Sequence, residues 1–197
     1  MRYLVMSDIH GGGEELEEVL GFFESWHCDC IVLLGDLLNH GPRNRVPGTY
    51  APPRAAELLN RYNRKIISIR GNCDSEVDQM MFSFPCNAPY GYIHIPCDFG
   101  IQKIFLTHGH LYNFDRPGTA AALGLGAGDI VLSGHTHVSG IFERAAGVIN
   151  INPGSTTIPK GGTQRGFGRI DPDRITLFNL GGEVLAEYVF RPGSQNA

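Results

Sequence analysis

Seven side chains able to hold a metal ion stand where apolar runs of the chain stop: Asp8, His10, Asp36, Asn72, His108, His135 and His137. All offer oxygen or imidazole nitrogen, a donor set suited to manganese, iron or zinc in a working site rather than to a structural thiolate zinc. Asp8-x-His10 and His135-x-His137 place alternate side chains on one side of an extended chain, so both members of each pair can turn inward. Seven donors shared between two ions about 3.5–4 Å apart would leave positions open for a bridging hydroxide and for phosphoryl oxygens. Asp36 is the candidate for the bridge. Any one of these histidines alone could serve the core or the surface; seven donors at five strand ends make a site.

The donors need strands to bring them together. Ile31-Val32-Leu33-Leu34, β-branched at its start and cut off by Gly35, reads as a strand covered on both faces. Residues 4–6, 66–70, 104–106 and 130–132 repeat the pattern, and each run leads into donors. In open α/β sheets, chemistry gathers at the carboxyl ends of the strands. Leu16, Val19, Leu20 and Phe23 recur at helical spacing within residues 14–25, with acidic residues in the first turn, and residues 55–63 read as a second helix. The first portion is thus a βαβαβ unit, which favours parallel strands and right-handed crossovers. Residues 37–54 form a long loop of the kind that is functional or mobile in a compact domain.

Beyond it, residues 77–84 are a dense apolar run, read as core or site wall ahead of a subunit contact. Residues 92–96 and 102–106 read as neighbouring strands joined at Asp98-Phe99-Gly100, and residues 117–125 as a short helix. From His137 onward, strands over 138–144, 148–151, 167–170, 174–180 and 184–190 read as an antiparallel meander that makes a second sheet. The fold class expected is α/β, a two-sheet mixed β-sandwich flanked by helices. One domain spans residues 1–190, and residues 191–197 are a flexible tail.

A chain of 197 residues can bury about 70% of the surface its unfolded form exposes, enough for such a core. The net charge of −4 leaves no basic footprint, so long nucleic acids and anionic membranes are poor partners. No stretch approaches the roughly 20 apolar residues of a membrane span. Met1-Arg2-Tyr3 enters the first strand directly, so no signal peptide is expected. The five cysteines are odd in number and lack a CxxC pair, which argues against a disulfide framework and for a reducing cytoplasm. Cys28 and Cys30, flanking Asp29, read as small buried thiols rather than half a zinc site.

Asp8-x-His10, Gly35-Asp36, Gly71-Asn72, His108 and Gly134-His135-x-His137 resemble the ordered signature of the calcineurin-like metallophosphoesterases. The finer resemblance is to the YfcE-type phosphodiesterases. It is carried by Leu38-Asn39-His40-Gly41-Pro42-Arg43-Asn44, by the run from Gly71 through Cys73-Asp74 to Met80, and by Asn152-Pro153-Gly154-Ser155. The resemblance spans nearly the whole chain and implies a two-sheet α/β sandwich and manganese-supported hydrolysis of small or activated phosphodiesters. Zinc and iron are the alternative metals. Carried over by position, Asp8, His10, Asp36 and His137 would hold one ion, and Asp36, Asn72, His108 and His135 the other.

Most members of the wider superfamily have histidine after the Gly-Asn pair, a proton donor for the leaving oxygen; here Cys73 takes that place. A thiol near its ordinary pKa of about 8.5 is a poorer donor than an imidazolium, so the enzyme is expected to depend on a good leaving group. His110, two residues past His108, is the other candidate acid, or else orients a ligand. Asp74 is placed by adjacency as a support for a ligand or for Cys73. Asn39, His40, Arg43 and Asn44 follow the bridging Asp36 and are the candidate substrate contacts. Two readings stand for Arg43, a guanidinium forked onto phosphate oxygen or a solvated loop charge.

A phosphomonoesterase on the same two ions is the alternative activity. A non-catalytic scaffold is the reading from another class, since the fold also serves as an interaction module in a retromer subunit; the complete donor set weighs against it. Met80, Met81, Phe82 and Phe84 would serve a homo-oligomer contact.

Overall fold

The computed structural model describes residues 1–191; the tail expected over 191–197 lies, past Arg191, outside the described residues. β1 (Tyr3–Met6), β2 (Cys30–Leu33) and β3 (Ile66–Ser68) are parallel neighbours, linked by α1 (Gly13–Ser25) and α2 (Pro52–Asn60). After α3 (Glu76–Met81), the hairpin of β4 (Tyr90–Cys97) and β5 (Gly100–Thr107) starts a second sheet. A short α4 (Thr119–Ala122) leads into β6 (Ile130–Leu132), which lies parallel to β5. Then come β7 (Gly140–Glu143), β8 (Ile149–Asn152), β9 (Gly166–Ile170), β10 (Arg174–Asn179) and β11 (Val184–Val189). The sheets run β11-β10-β9-β1-β2-β3 and β4-β5-β6-β8-β7.

Strand alternation explains the layers. Val5, Val32 and Leu34 of the first sheet meet Ile104, Leu106, Ile130 and Leu132 of the second in a dry middle layer. Leu4, Met6, Ile31 and Leu33 point the other way and are covered by Leu16, Val19, Leu20 and Phe23 of α1 and Leu58 and Leu59 of α2. Phe105 and Val131 face outward from the second sheet and are covered by Phe114, Ala120 and Leu125. Strands sealed on both faces must be apolar at every position, which is why these segments read as unbroken apolar runs.

The last third corrects the meander. β7 and β8 do join the second sheet, with β8 parallel to β6, but β9, β10 and β11 cross back and extend the first. β9 pairs antiparallel with β1, setting Tyr3 opposite Ile170 and Val5 opposite Gly168. Turn residues such as Asp171-Pro172-Asp173 identify consecutive hairpins, but they carry nothing about which earlier strand the hairpins join. β1 had one free edge with buried amides and carbonyls to satisfy, and β9 supplies the partner.

Three local expectations also shift. α2 begins at Pro52, a residue preset for the first helical position, and ends at Asn60, with a 3₁₀ turn over Asn63–Lys65 after it. The helix expected over 117–125 shrinks to α4. The apolar run at 77–84 divides: Phe82 and Phe84 enter the core, while α3 exposes Val77 and Met80. The start of α3 was legible as a capping box, Ser75 accepting from the Asp78 amide and Asp78 from the Ser75 amide.

Candidate metal centre

The loops after β1, β2, β3, β5 and β6 open at one end of the two sheets, and they are laced together by backbone. The Asp8 amide donates to the Gly35 carbonyl (3.0 Å) and the His10 amide to the Asp36 carbonyl (2.9 Å), so the first two donor loops are one unit. Asp8, His10, Asp36, His135 and His137 all hold φ between 47° and 69°. That left-handed conformation costs a non-glycine residue about 1–2 kcal/mol, and among the described residues it otherwise occurs, glycine aside, only at His27 and Ala146. Each turn aims a side chain inward immediately beyond a strand. Two glycines make the crowding possible. A Cβ on Gly71 would strike the Asp36 carboxylate, and one on Gly134 would strike Ser7 Oγ and Asp8.

The side-chain atoms that meet here are nearly all lone pairs. His10 Nδ1 donates to the Asn39 carbonyl (2.6 Å), His108 Nδ1 to that of Leu34 (2.7 Å) and His137 Nδ1 to that of Ile158 (2.7 Å). A carbonyl can only accept, so the proton sits on Nδ1 in each ring and the neutral form turns a bare Nε2 inward. His10 Nε2 and His137 Nε2 face each other at 3.2 Å, and His108 Nε2 stands 3.1 Å from Asn72 Oδ1, another acceptor. Asp8 Oδ1 lies 3.3 Å from His137 Nε2 and 3.8 Å from His10 Nε2, while Asp36 Oδ2 lies 3.4 Å from His108 Nε2 and 3.7 Å from His10 Nε2. Atoms each about 2.1 Å from one ion, at tetrahedral or octahedral angles, stand roughly 3.0–3.4 Å apart.

Asp8 Oδ1 tests the fit. It is fully buried with no hydrogen-bond partner, whereas Oδ2 accepts from Ser7 Oγ (2.7 Å) and the His135 amide (3.0 Å). A buried carboxylate oxygen left unpaired is costly unless a cation meets it. Burial, opposed by the His108 charge and aided by that of Asp36, pushes the Asp8 carboxyl up to about 7. Burial lowers His108, but the hydrogen bond to Asp36 and the charges of Asp8 and Asp36 outweigh it and lift the ring to about 9. Burial likewise works to raise Asp36, and the His108 hydrogen bond and charge reverse it, holding Asp36 well below the usual carboxylate range. In His137, burial takes the ring down to about 4. Without a cation, protons hold this cluster together; the residues fit divalent metal.

The other expected site residues are placed as follows. Asn72 is exposed and His135 half-buried; the His135 ring lies 5.2 Å from that of His108, centre to centre, and joins the wall of a cavity of about 320 Å³. Asp74 is turned away from that cavity. Its carboxylate takes the amides of Asp36 (2.8 Å), Leu37 (2.8 Å) and Gly71 (2.6 Å), a positioning role that clamps the second and third donor loops. The Cys73 amide donates to Asp36 Oδ1 (2.7 Å), and its thiol lines the cavity, pushed up to about 12 by burial and the Asp36 charge. His110 stands outside the cavity wall, exposed, its ring 5.3 Å from His108 and 6.0 Å from His135.

Asn39, Arg43 and Asn44 line the cavity. His40 does not line it: its ring packs edge-on against Tyr50. The loop turns over at Gly41 (φ 74°), so neighbours in sequence face opposite ways. Sequence reasoning missed Lys160, which completes the wall. It also missed why the Asn152-Pro153-Gly154-Ser155 segment matters: Ser155 Oγ donates to the Asp8 carbonyl (2.6 Å) and Thr157 Oγ1 to that of Ile9 (2.8 Å), bracing the first donor loop.

A model of the calcineurin-like phosphoesterase superfamily domain matches residues 1–174. Phosphodiesterase YfcE of Escherichia coli strain K12 is 40% identical over 193 residues, covering 98% of this chain and all of the relative. The structure of the E. coli phosphoesterase YfcE superposes with a TM-score of 0.86 at 39% identity, covering 97% of this chain and 100% of that one. A probable metallophosphoesterase, YsnB of Bacillus subtilis, is 27% identical over 168 residues, 81% of this chain and 78% of its own.

Proposed function

The chain belongs to the calcineurin-like phosphoesterase superfamily, and from that premise we propose that it is a phosphodiesterase that hydrolyses small or activated phosphodiesters on two divalent ions, manganese first. The single observation that carries the metal dependence is the buried, unpartnered Asp8 Oδ1 among inward-facing Nε2 atoms. Asp8, His10, Asp36 and His137 are assigned to one ion, and Asp36, Asn72, His108 and His135 to the other. When bound, the ions supply an activated water as nucleophile at neutral pH and neutralise charge on the transferred phosphoryl group.

The chain's own residues do the rest. Three backbone carbonyls fix the tautomer and direction of His10, His108 and His137, so none of these rings must reorient when a substrate arrives. Asp74 and Ser155 hold the loops that carry Asp36 and Asp8. Arg43, with Asn39 and Asn44, faces the cavity where the phosphoryl oxygens of a diester would lie. Cys73 occupies the wall beside Asn72, and its thiol is a poorer proton donor to a departing alkoxide than an imidazolium would be. His110, exposed and outside the cavity wall, is the other candidate acid. The catalytic domain is taken as residues 1–190. The five free cysteines fit a reducing cytoplasm, and among the described residues no helix is long and apolar enough to cross a membrane. Of the residues expected at a homo-oligomer contact, Met80 and Met81 are exposed and are the face proposed for it, whereas Phe82 and Phe84 are buried.

The deciding experiment strips the protein of metal, reloads Mn²⁺, and compares an aryl phosphodiester with the matching monoester, with Asp36→Asn as control. Diester preference that vanishes in the variant supports the reading. Monoester preference would keep the metal site and replace the activity, and no turnover with any divalent metal would leave a scaffold.

A further inference from the structure

The cavity over the donor cluster contains a cation that no part of the proposed chemistry uses. The chain has three lysines, and two are occupied: Lys65 lies 5.1 Å over the Phe23 ring, and Lys103 lies over Tyr92 and bonds the Gly124 carbonyl. Lys160 has neither ring nor carboxylate partner among the described residues, yet it lines the cavity. Its backbone is fixed by a candidate ligand. The Lys160 amide donates to the His137 carbonyl (3.0 Å), and the His137 ring donates back to the Ile158 carbonyl (2.7 Å). The Lys160 carbonyl in turn accepts from the Thr163 amide (3.1 Å) and Oγ1 (2.8 Å), closing a tight turn through Gly161 and Gly162, both at positive φ. The side chain is free, but its root is as fixed as the ligand.

Arg43 is the second cation of the wall, and it too has no ion pair among the described residues. The two reach the wall from different segments, Lys160 from the turn hydrogen-bonded to His137 and Arg43 from the loop after Asp36. The one carboxylate in the wall is Asp36, which is committed to metal. Two unneutralised cations in one polar cavity, in a chain of net charge −4, repel each other until an anion enters. A simple dialkyl or diaryl phosphate brings a single negative charge, and the metal ions and Arg43 already answer it.

We propose that Lys160 recognises a second anionic group, so that the preferred substrate is a phosphodiester whose non-leaving arm carries a phosphate, carboxylate or like charge. The inference rests on the diesterase reading. It also orients the substrate: the leaving arm toward Cys73 and Asn72, the charged arm toward Lys160.

The test uses two aryl diesters with the same leaving group, 4-nitrophenyl ethyl phosphate and 4-nitrophenyl 2-sulfoethyl phosphate; the sulfonate binds Mn²⁺ only weakly. Alongside them, the ethyl and 2-sulfoethyl esters of phenylphosphonic acid, whose alkoxide leaving groups are poor, are titrated by calorimetry. Both kcat/KM and Kd are expected to favour the sulfoethyl member, and Lys160→Gln should cut that preference about fivefold, the scale of one exposed charge pair. Lys160→Arg should restore it, and added salt should erode it in the wild-type protein. An ethyl-to-sulfoethyl ratio that is unity in the wild type, or unchanged in Lys160→Gln, overturns the inference. Failure to cleave either diester overturns the diesterase reading instead, and the phosphonate Kd ratio still decides the role of Lys160.

Discussion

The two ends of the candidate metal centre are built differently. Asp8 and His10 are sealed within the protein, and His137 is buried with an edge on the cavity wall; each is pinned by hydrogen bonds to backbone or buried side chains. Asn72 and His135 border the cavity, one exposed and one half-buried, and no hydrogen bond fixes the His135 ring among the described residues. Asp36 belongs to both, its Oδ2 near His10 on one side and His108 on the other. The sealed end is made by packing and is therefore preformed, whereas the open end shares its atoms with the surface that meets substrate. On the proposed reading, the sealed end would set affinity for metal at a cost to folding, and the open end would set what is bound and cleaved.

The strongest way to break this picture is at the shared residue. Asp36→Asn keeps the shape and removes the charge that both ends use, and turnover should fall by about 10³-fold with the circular dichroism spectrum unchanged. Activity within tenfold of wild type would remove Asp36 from the centre of the scheme. Next in size is Asp74→Ala, which frees three amides that hold the Asp36 and Asn72 loops. Metal affinity should drop about 10–100-fold, read by chelator competition.

The ends should then part company in stability. Asp8→Asn relieves a buried, unpaired carboxylate, so the metal-free variant should melt higher than metal-free wild type while gaining less from Mn²⁺. His135→Ala, at the open end, should leave the metal-free melting temperature within about 2 °C, a change under roughly 0.5 kcal/mol. Equal shifts in the two variants would erase the distinction.

Acidity sharpens the same contrast. His108, raised to about 9 in the metal-free fold, holds a proton that the unfolded chain releases near pH 6.5. Its contribution is therefore complete below pH 6.5 and is lost as pH climbs through 9, so metal-free protein should become less stable across that window. Metal binding needs the same ring deprotonated, and the stabilisation by Mn²⁺ should grow over the same range. Parallel pH profiles with and without Mn²⁺ would contradict this. The leaving group gives the last test. Replacing Cys73 by His should raise turnover of alkyl diesters by up to about 100-fold, the low end of what a positioned general acid contributes, and leave nitrophenyl diesters nearly unchanged.

How much of this was legible before the fold was known varies along the chain. The donors were legible because strand ends leave a record: a run that is apolar on both faces, a glycine, then polar residues, as in Leu33-Leu34-Gly35-Asp36. Helix α1 and the three parallel strands followed from local period and spacing. The return of β9 to the edge of β1 did not, because an edge left open at residue 3 and filled at residue 170 has no local signal. The directions of His40 and Lys160 had no local signal either: one turn at Gly41 sets Arg43 on the cavity and His40 against Tyr50, and Lys160 reaches the same wall from a distant segment.

The sequence by itself determined the donor set, the parallel first half and the chemistry such donors allow, since these depend on residue type and short-range period. Only the tertiary structure decided that Asp8 Oδ1 lies buried without a partner, that Asp74 clamps two loops rather than facing substrate, and that Lys160 closes the cavity. Those facts arise where segments distant in the chain meet, and burial and hydrogen bonding there depend on every layer of the sandwich at once.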